Sequence, residues 1–138
     1  QDEKRLRKLE LARTLVPPPA YFGSPPGDAD MSIIAFGSTK GPIRQAVEWL
    51  ERDRRRIAVM QVVTLWPFPA ESVSAFFDAS KRTMVVEGNA TGQLEGLIRQ
   101  ECLRQPDWRM HRYDGRQFSP EQIYEMVMEV LCNACGIA

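Results

Sequence analysis

The sequence predicts a three-layer α/β domain in which a mostly parallel sheet carries helices on both faces. Short apolar runs of strand length alternate with segments in which apolar residues recur every three or four positions. This β-α-β-α-β-α-β-α order is typical of parallel sheets, because each return to the same edge of a sheet needs a crossover helix. Hydrophobic residues make up 43% of the 138 residues, which is ordinary for one domain with a buried core.

Composition and charge exclude several classes of protein. Lysine plus arginine and aspartate plus glutamate both number 18, so no basic field favours nucleic acid as the main partner. The longest apolar runs are far shorter than a membrane span needs. The chain starts at Gln1 without an initiator methionine or a signal-type apolar stretch, and its three cysteines are an odd number. We therefore expect a piece of a longer, cytoplasmic polypeptide in a reducing compartment.

The first 30 residues predict a helix followed by a proline-rich linker. Apolar residues at helical spacing form one face of the helix: Leu6, Leu9, Ala12 and Val16. Basic residues form the outer face: Lys4, Arg5, Arg7, Lys8 and Arg13. The basic face is either exposed to solvent or part of a helix that packs on a neighbouring domain. We expect exposure to solvent, because runs of charge usually mark a solvated face. Pro17 to Pro19 end the helix, and the stretch to Asp30 is rich in Pro, Gly and Asp.

The compact domain is predicted over residues 31–131, with a tail over 132–138. Four apolar runs predict strands at 31–36, 57–63, 82–87 and 108–113, the last one less buried or at an edge. Helices are predicted at 42–55, 70–79, 91–103 and from 120 onwards. The last of these begins with a capping pattern, because Ser119 precedes Pro120 and Gln122 stands at the third helical position.

The turn after the first strand carries Ser38, Thr39 and Lys40. It lacks the residue order of a phosphate-binding loop, which excludes a nucleotide triphosphatase of that type. A helix N-terminus with these side chains could attract an anion, but we expect simple helix capping.

Trp66 and Phe68 lie in the segment Leu65-Trp66-Pro67-Phe68-Pro69, which its alternating prolines stiffen. Rigidly held aromatic rings suit either a plug in the core or a contact surface, and the sequence leaves both interpretations open.

The third strand ends at Glu87, and a small-residue turn leads from it into the next helix. Asn89, Thr91 and Gln93 supply the polar side chains of this turn. Such turns lie at the carboxyl edge of open α/β sheets, where ligands and partners dock. Glu87 is either a functional acid or an acceptor for neighbouring backbone N–H groups.

Catalytic and metal-binding patterns are weak. His111 is the single histidine, on a predicted strand, and a structural role is the better expectation for it. Cys132 and Cys135 have CxxC spacing, but one pair is too few for a zinc or iron–sulfur site. Cys102 is expected to be a small buried hydrophobe.

Four motifs in order along the chain resemble one family. They are Phe36–Arg44, Leu65–Pro69, Val86–Leu94 and Tyr113–Glu121. Together they resemble the C-terminal domain of the alpha subunit of 2-oxoacid:ferredoxin oxidoreductases, the 2-oxoglutarate type in particular. The basic helix and linker at residues 4–30 resemble what precedes that domain.

The resemblance implies a fold like the C-terminal domain of transketolase, with a mostly parallel five-stranded sheet. Only four strands are evident, so the fifth would lie at Gln117–Phe118, in the linker, or at a weak edge. The family's enzymes oxidatively decarboxylate a 2-oxoacid, with coenzyme A as acyl acceptor and ferredoxin as electron acceptor.

The resemblance also implies that this chain has no catalytic residue. Thiamine diphosphate, Mg²⁺ and iron–sulfur clusters belong to the complete enzyme, and other domains and the beta subunit hold them. The chain would contact the remaining alpha-subunit domains and the beta subunit. The candidate interface or anion-binding residues are Ser38, Thr39, Lys40, Trp66, Phe68, Glu87, Asn89, Thr91 and Gln93.

Three alternatives remain open beside this interface role. The first is a module that binds coenzyme A or another anion at the helix N-termini. The second keeps the fold but makes the parent a transketolase or the beta component of a 2-oxoacid dehydrogenase. The third concerns assembly, because the sequence does not decide whether the chain forms a homodimer.

Overall fold

The computed structural model of the chain describes residues 1–88, 92–112, 114 and 116–134. In these residues the strands are β1 (Ala20–Gly23), β2 (Met31–Phe36), β3 (Ile57–Val62), β4 (Thr83–Glu87) and β5 (Trp108–His111). The α-helices are α1 (Asp2–Leu15), α2 (Lys40–Arg52), α3 (Ala70–Ala79), α4 (Gln93–Cys102) and α5 (Pro120–Ala134), and a short 3₁₀ helix spans Gly37–Thr39.

The five strands form one sheet in the order β1-β3-β2-β4-β5. The pairs β2–β3, β2–β4 and β4–β5 are parallel, whereas β1 runs antiparallel to β3. The predicted α/β class with a mostly parallel sheet is confirmed, and β5 is an edge strand as its mixed pattern predicts.

The fifth strand, β1, comes from the stretch that the sequence marks as a linker. Its residues pair with β3 from Ala20 opposite Gln61 to Gly23 opposite Ala58. Gly23 has a φ of +82°, and a Cβ there would lie 2.1 Å from the carbonyl oxygen of Ile57. Only glycine can end the strand this close to β3. Gln117 and Phe118, the other named location for this strand, precede α5 without joining the sheet.

Helices cover both faces of the sheet. On one face α2 and α5 pack on side chains such as Ile33, Val59 and Met84. On the other face α3 and α4 pack on alternate residues of the same strands, such as Ile34 and Met60. Strands β2, β3 and β4 are buried along nearly their whole length, which explains their continuous apolar sequences.

Helix α1 buries no residue against the rest of the described chain. Leu6, Leu11 and Leu15 are 61%, 64% and 76% exposed. Packing on this domain therefore does not explain these three leucines. No helix in the described part of the chain is both long and apolar enough to cross a membrane.

Candidate functional site

Three connections meet at the carboxyl edge of the sheet. Because β2, β3 and β4 are parallel neighbours, the turns that follow them lie at the same edge. The chain leaves β2 towards β3 on one side and later enters β4 on the other, so the ends of β2 and β4 are the point at which the strand order reverses. The predicted residues Ser38, Thr39, Lys40, Trp66, Phe68, Glu87 and Gln93 are on these connections, whereas Asn89 and Thr91 lie outside the described residues.

The turn after β2 does not cap α2 with a side chain. Thr39 has φ −73° and ψ −10°, a helical conformation, whereas a capping residue needs an extended one. Its hydroxyl donates instead to the carbonyl of Phe36, at 3.3 Å. The predicted capping role of this turn is therefore wrong, because a 3₁₀ turn precedes the helix. Ser38 and Lys40 are exposed to solvent.

Gln61 fastens this turn to the neighbouring strand. Its side chain is 5% exposed, and its Nε2 donates to the carbonyl of Gly37 at 3.1 Å. The sequence offers one signal for this role, a single polar residue inside the apolar run of β3. That signal does not indicate which backbone group the amide contacts.

The proline segment after β3 divides its two aromatic residues between core and surface. Phe68 is 5% exposed and packs in the core under α3 and α4. Trp66 is 68% exposed, and the neighbouring Val63 is 46% exposed. A groove of about 390 Å³ lies between the proline linker and the start of α3, and it is lined mainly by residues 16–19 and 67–72. The core interpretation therefore holds for Phe68, while Trp66 presents an apolar surface to solvent.

The carboxylate of Glu87 caps helix α4 from the end of β4. One oxygen accepts the N–H of Leu94 at 2.9 Å, and the other accepts the N–H of Glu95 at 3.0 Å. The side chain of Glu87 is 2% exposed. Of the two roles open for Glu87, the structure shows the acceptor. The positive end of this helix already holds a negative charge from its own chain.

His111 lies between two carboxylates at the end of β5. Its Nε2 is 3.4 Å from Oε2 of Glu87 and 3.4 Å from Oε2 of Glu95. Arg109 contacts the other oxygen of Glu95 at 3.0 Å, and Arg99 approaches the same oxygen at 3.5 Å. These contacts join β4, α4 and β5, and His111 packs among groups that hold the fold.

Gly92 allows this packing at the start of α4. Its φ is +63°, and an added Cβ would lie 2.9 Å from Cε1 of His111. Both the backbone conformation and the close contact therefore favour glycine.

Sequence reasoning missed Glu95 and Arg109 as members of this cluster. The signal for Arg109 is its position beside His111 in the alternation of β5, on the face opposite Trp108 and Met110. Glu95 becomes a member only because α4 crosses this face, and no local pattern predicts that placement.

The described residues offer no fit for a metal ion or an iron–sulfur cluster. No group of three or more His, Cys, Asp or Glu side chains among them could hold a metal ion. Cys102 and Cys132 are half-buried free thiols, and the Sγ of Cys102 faces the carbonyl of Ala70 at 3.6 Å. Cys135, the second member of the CxxC pair, lies outside the described residues.

Comparison with known proteins gives consistent matches. The family model described as pyruvate:ferredoxin oxidoreductase core domain II matches residues 29–123. The alpha subunit of 2-oxoacid:ferredoxin oxidoreductase 2 from Aeropyrum pernix is 32% identical over 131 residues, which are 93% of this chain and 20% of that protein. The 2-oxoglutarate synthase subunit KorA from Methanothermobacter thermautotrophicus is 28% identical over 111 residues, 75% of this chain and 27% of that protein.

A solved structure matches in fold as well as in sequence. It is 2-oxoglutarate:ferredoxin oxidoreductase from Magnetococcus marinus with 2-oxoglutarate, coenzyme A and succinyl-CoA bound. The TM-score is 0.85 at 32% identity, and the match covers 94% of this chain and 22% of that chain. The chain thus spans about a fifth of the length of the first of these relatives and of this structure.

Proposed function

Since the chain belongs to the pyruvate:ferredoxin oxidoreductase core domain II family, as a domain of a 2-oxoacid:ferredoxin oxidoreductase alpha subunit, we propose that it is a non-catalytic interface domain. In this role it supports the catalytic parts of the enzyme. Its carboxyl edge packs against the remaining alpha-subunit domains and the beta subunit.

One observation carries this proposal, the exposed indole of Trp66 on a rigid proline segment. Trp66 is 68% exposed while Phe68, two residues later, is fixed in the core. A rigid aromatic side chain loses little conformational entropy on binding, and tryptophan is enriched among the residues that dominate interfaces. The anchored Phe68 therefore positions Trp66 for a partner surface.

Polar groups lie on the same edge of the sheet, after the strands on one side of β3. Ser38, Lys40 and Gln93 are exposed on the turns after β2 and β4. A hydrophobic centre with a polar rim is the usual composition of a protein interface. We assign Asn89 and Thr91 to this rim from their sequence positions alone.

The geometry disfavours the alternative in which an anion such as coenzyme A binds both helix N-termini. At α4 the carboxylate of Glu87 already accepts the two N–H groups that an anion would need. A second anion there would face buried negative charge. Only the start of α2 stays available to such a ligand.

For the complete enzyme we propose oxidative decarboxylation of a 2-oxoacid, 2-oxoglutarate in particular, to an acyl-CoA with reduction of ferredoxin. The Magnetococcus enzyme and the Methanothermobacter subunit carry this substrate in their names. Thiamine diphosphate, Mg²⁺ and the iron–sulfur cluster would lie in other domains, and the enzyme would work in the cytoplasm. Ferredoxin would dock elsewhere on the assembly.

A complementation experiment tests the interface role. The 138-residue chain and the rest of the enzyme are produced separately, then assayed alone and mixed, with 2-oxoglutarate, coenzyme A and ferredoxin. We expect no turnover from the chain alone, little from the remainder, and recovery on mixing. Turnover by the isolated chain would overturn the proposal, and so would full activity of the remainder without it.

A further inference from the structure

The carboxyl end of β5 places an ionisable ring between two buried acids. The side chain of His111 is 12% exposed, and those of Glu87 and Glu95 are 2% and 8% exposed. Its Nε2 lies 3.4 Å from the Oε2 atom of each glutamate. Within the described part of the chain this buried nitrogen has no aligned hydrogen-bond partner. We call the three side chains the His111 clasp.

An imidazole can take three forms, and one of them fits this position. A neutral ring with its proton on Nδ1 turns the lone pair of Nε2 towards two carboxylate oxygens, which repel it. A neutral ring with its proton on Nε2 offers a single N–H, which aligns with neither oxygen. The imidazolium carries a positive charge, and its attraction to both carboxylates does not need that alignment. The geometry therefore favours the protonated ring.

Two arginines contact the same clasp at a different atom. Arg109 lies 3.0 Å and Arg99 lies 3.5 Å from Oε1 of Glu95, whereas Oε2 of Glu95 faces His111. The two arginine side chains are 50% and 56% exposed, so water screens their charges. These two arginines and the two glutamates are the charged groups that the described residues of β4, α4 and β5 bring to the ring.

The clasp joins three elements at the start of α4. Glu87 ends β4, Glu95 lies in the first turn of α4, and His111 ends β5. Glu87 also accepts the backbone N–H groups of Leu94 and Glu95. A change of charge on His111 thus acts on the two carboxylates that fix α4 to the sheet.

We propose that the His111 clasp opens and closes with pH. In its imidazolium form His111 holds Glu87 and Glu95 together and fixes the start of α4 to the edge of the sheet. Loss of the proton removes the central charge, leaves two carboxylates facing a neutral ring, and loosens the start of α4. The proposal concerns the chain alone and does not rest on the proposed interface role.

The direction of the pH dependence follows from which form the clasp favours. Because the clasp favours the protonated ring, the folded chain binds this proton more tightly than the unfolded chain does. Its stabilising contribution is complete at low pH and is lost as the pH rises through the range where imidazoles change charge, roughly pH 5 to 8. A carboxylate cap acting without the ring would show the opposite direction, since its contribution is lost as the pH falls.

Hydrogen exchange of the Leu94 amide tests the proposal on the full 138-residue chain. This N–H donates to Oε1 of Glu87 at 2.9 Å, so its protection factor, corrected for intrinsic exchange, reports on the clasp. We expect it to fall at least ~10-fold between about pH 6 and about pH 8. In His111→Gln, whose amide does not titrate, it should stay constant. No change in the wild type, or an equal change in both chains, would overturn the proposal.

A matched pair of charge removals on α4 separates the clasp from general electrostatics. Glu95→Gln removes one of the two charges that face the ring, and it should reduce the pH-dependent change at Leu94 by at least ~3-fold. Glu101→Gln removes the same charge at an exposed position of the same helix and should leave that change intact. The same result from both substitutions would contradict the proposal.

Proton NMR of the ring gives a second readout that needs no variant. His111 is the single histidine, so the resonance of its Cε1–H is assigned without ambiguity. We expect the ring to keep its proton to a higher pH in the folded chain than in the same chain unfolded in urea. A folded-state ring that loses its proton at the same pH or a lower one would overturn the proposal, even if the variants fail to fold.

Discussion

Two strand-to-helix connections at the carboxyl edge differ in whether a prominent side chain is buried or exposed to solvent. At the start of the β4–α4 connection the carboxylate of Glu87 points inward, at 2% exposure, and accepts two backbone N–H groups. The β3–α3 connection turns an apolar group outward, with Trp66 at 68% exposure. The carboxylate of Glu87 thus has its partners within the chain, whereas the indole of Trp66 is left open to solvent.

From this difference we expect Glu87 to hold the fold and Trp66 to serve a partner. Substitutions in the β4–α4 connection should lower the stability of the isolated chain, because they expose unpaired buried groups. Substitutions at Trp66 should leave stability alone and weaken assembly. Position at the carboxyl edge therefore does not by itself mark a docking residue.

Removing the carboxylate of Glu87 should have the largest effect on the isolated chain. Glu87→Ala leaves the N–H groups of Leu94 and Glu95 without this acceptor in a buried site, which should lower the free energy of unfolding by about 2–4 kcal/mol. Chemical denaturation measures it. Glu71→Ala is the matched control, since Glu71 is exposed in the first turn of α3, and should cost less than about 0.5 kcal/mol. Equal effects of the two substitutions would contradict the capping role.

Gly92→Ala should have the next largest effect. The added methyl group meets His111 at 2.9 Å and requires a positive φ, so we expect a loss of about 1–3 kcal/mol. Gly96→Ala is the control in the same helix, because a Cβ there meets nothing within 4 Å and alanine favours helix by about 1 kcal/mol. Thermal melts of both variants should move in opposite directions. A Gly92→Ala variant as stable as the wild type would refute the tight contact.

The β5–α5 connection offers the smallest effect. Hydrogen bonding from Arg112 at 2.9 Å, with the backbone N–H of Arg116, holds the pKa of Asp114 below its ordinary value. A lowered folded-state pKa gives stability that is present above the unfolded-state pKa and is lost as the pH falls through the folded-state value. Asp114→Asn should therefore reduce the loss of stability below about pH 4. Unfolding curves at pH 5 and pH 3 check this, and identical pH dependence in both proteins would contradict it.

The fold follows largely from local patterns in the sequence. Buried strands such as Ile57–Val62 give continuous apolar runs. Helix α5 begins at a capping box, in which Ser119 accepts the backbone N–H of Gln122 at 3.2 Å and Gln122 accepts that of Ser119 at 3.0 Å. Strand β1 carries no such signal, because it has four residues that alternate in burial and follow three prolines. Its place depends on pairing with β3, a contact distant in sequence.

The candidate site was less predictable for the same reason. The position of Glu87 at a strand end was visible, but its role depends on where α4 begins. Thr39 has the composition of a helix cap, yet the 3₁₀ turn places it in a helical conformation. The contacts of His111 with Glu87 and Glu95 join three elements that are distant in sequence, so no short sequence motif predicts them.

The central claim is that Trp66 serves a partner while Phe68 serves the fold. The direct test is the affinity of the Trp66→Ala chain for the remaining parts of the enzyme, measured by isothermal titration calorimetry beside its free energy of unfolding. Leu103→Ala, which removes an 86% exposed leucine at the far end of α4, is the control. We expect Trp66→Ala to weaken binding at least ~30-fold, about 2 kcal/mol, with stability unchanged within about 0.5 kcal/mol. Unchanged affinity in Trp66→Ala, or an equal loss in Leu103→Ala, would contradict the claim.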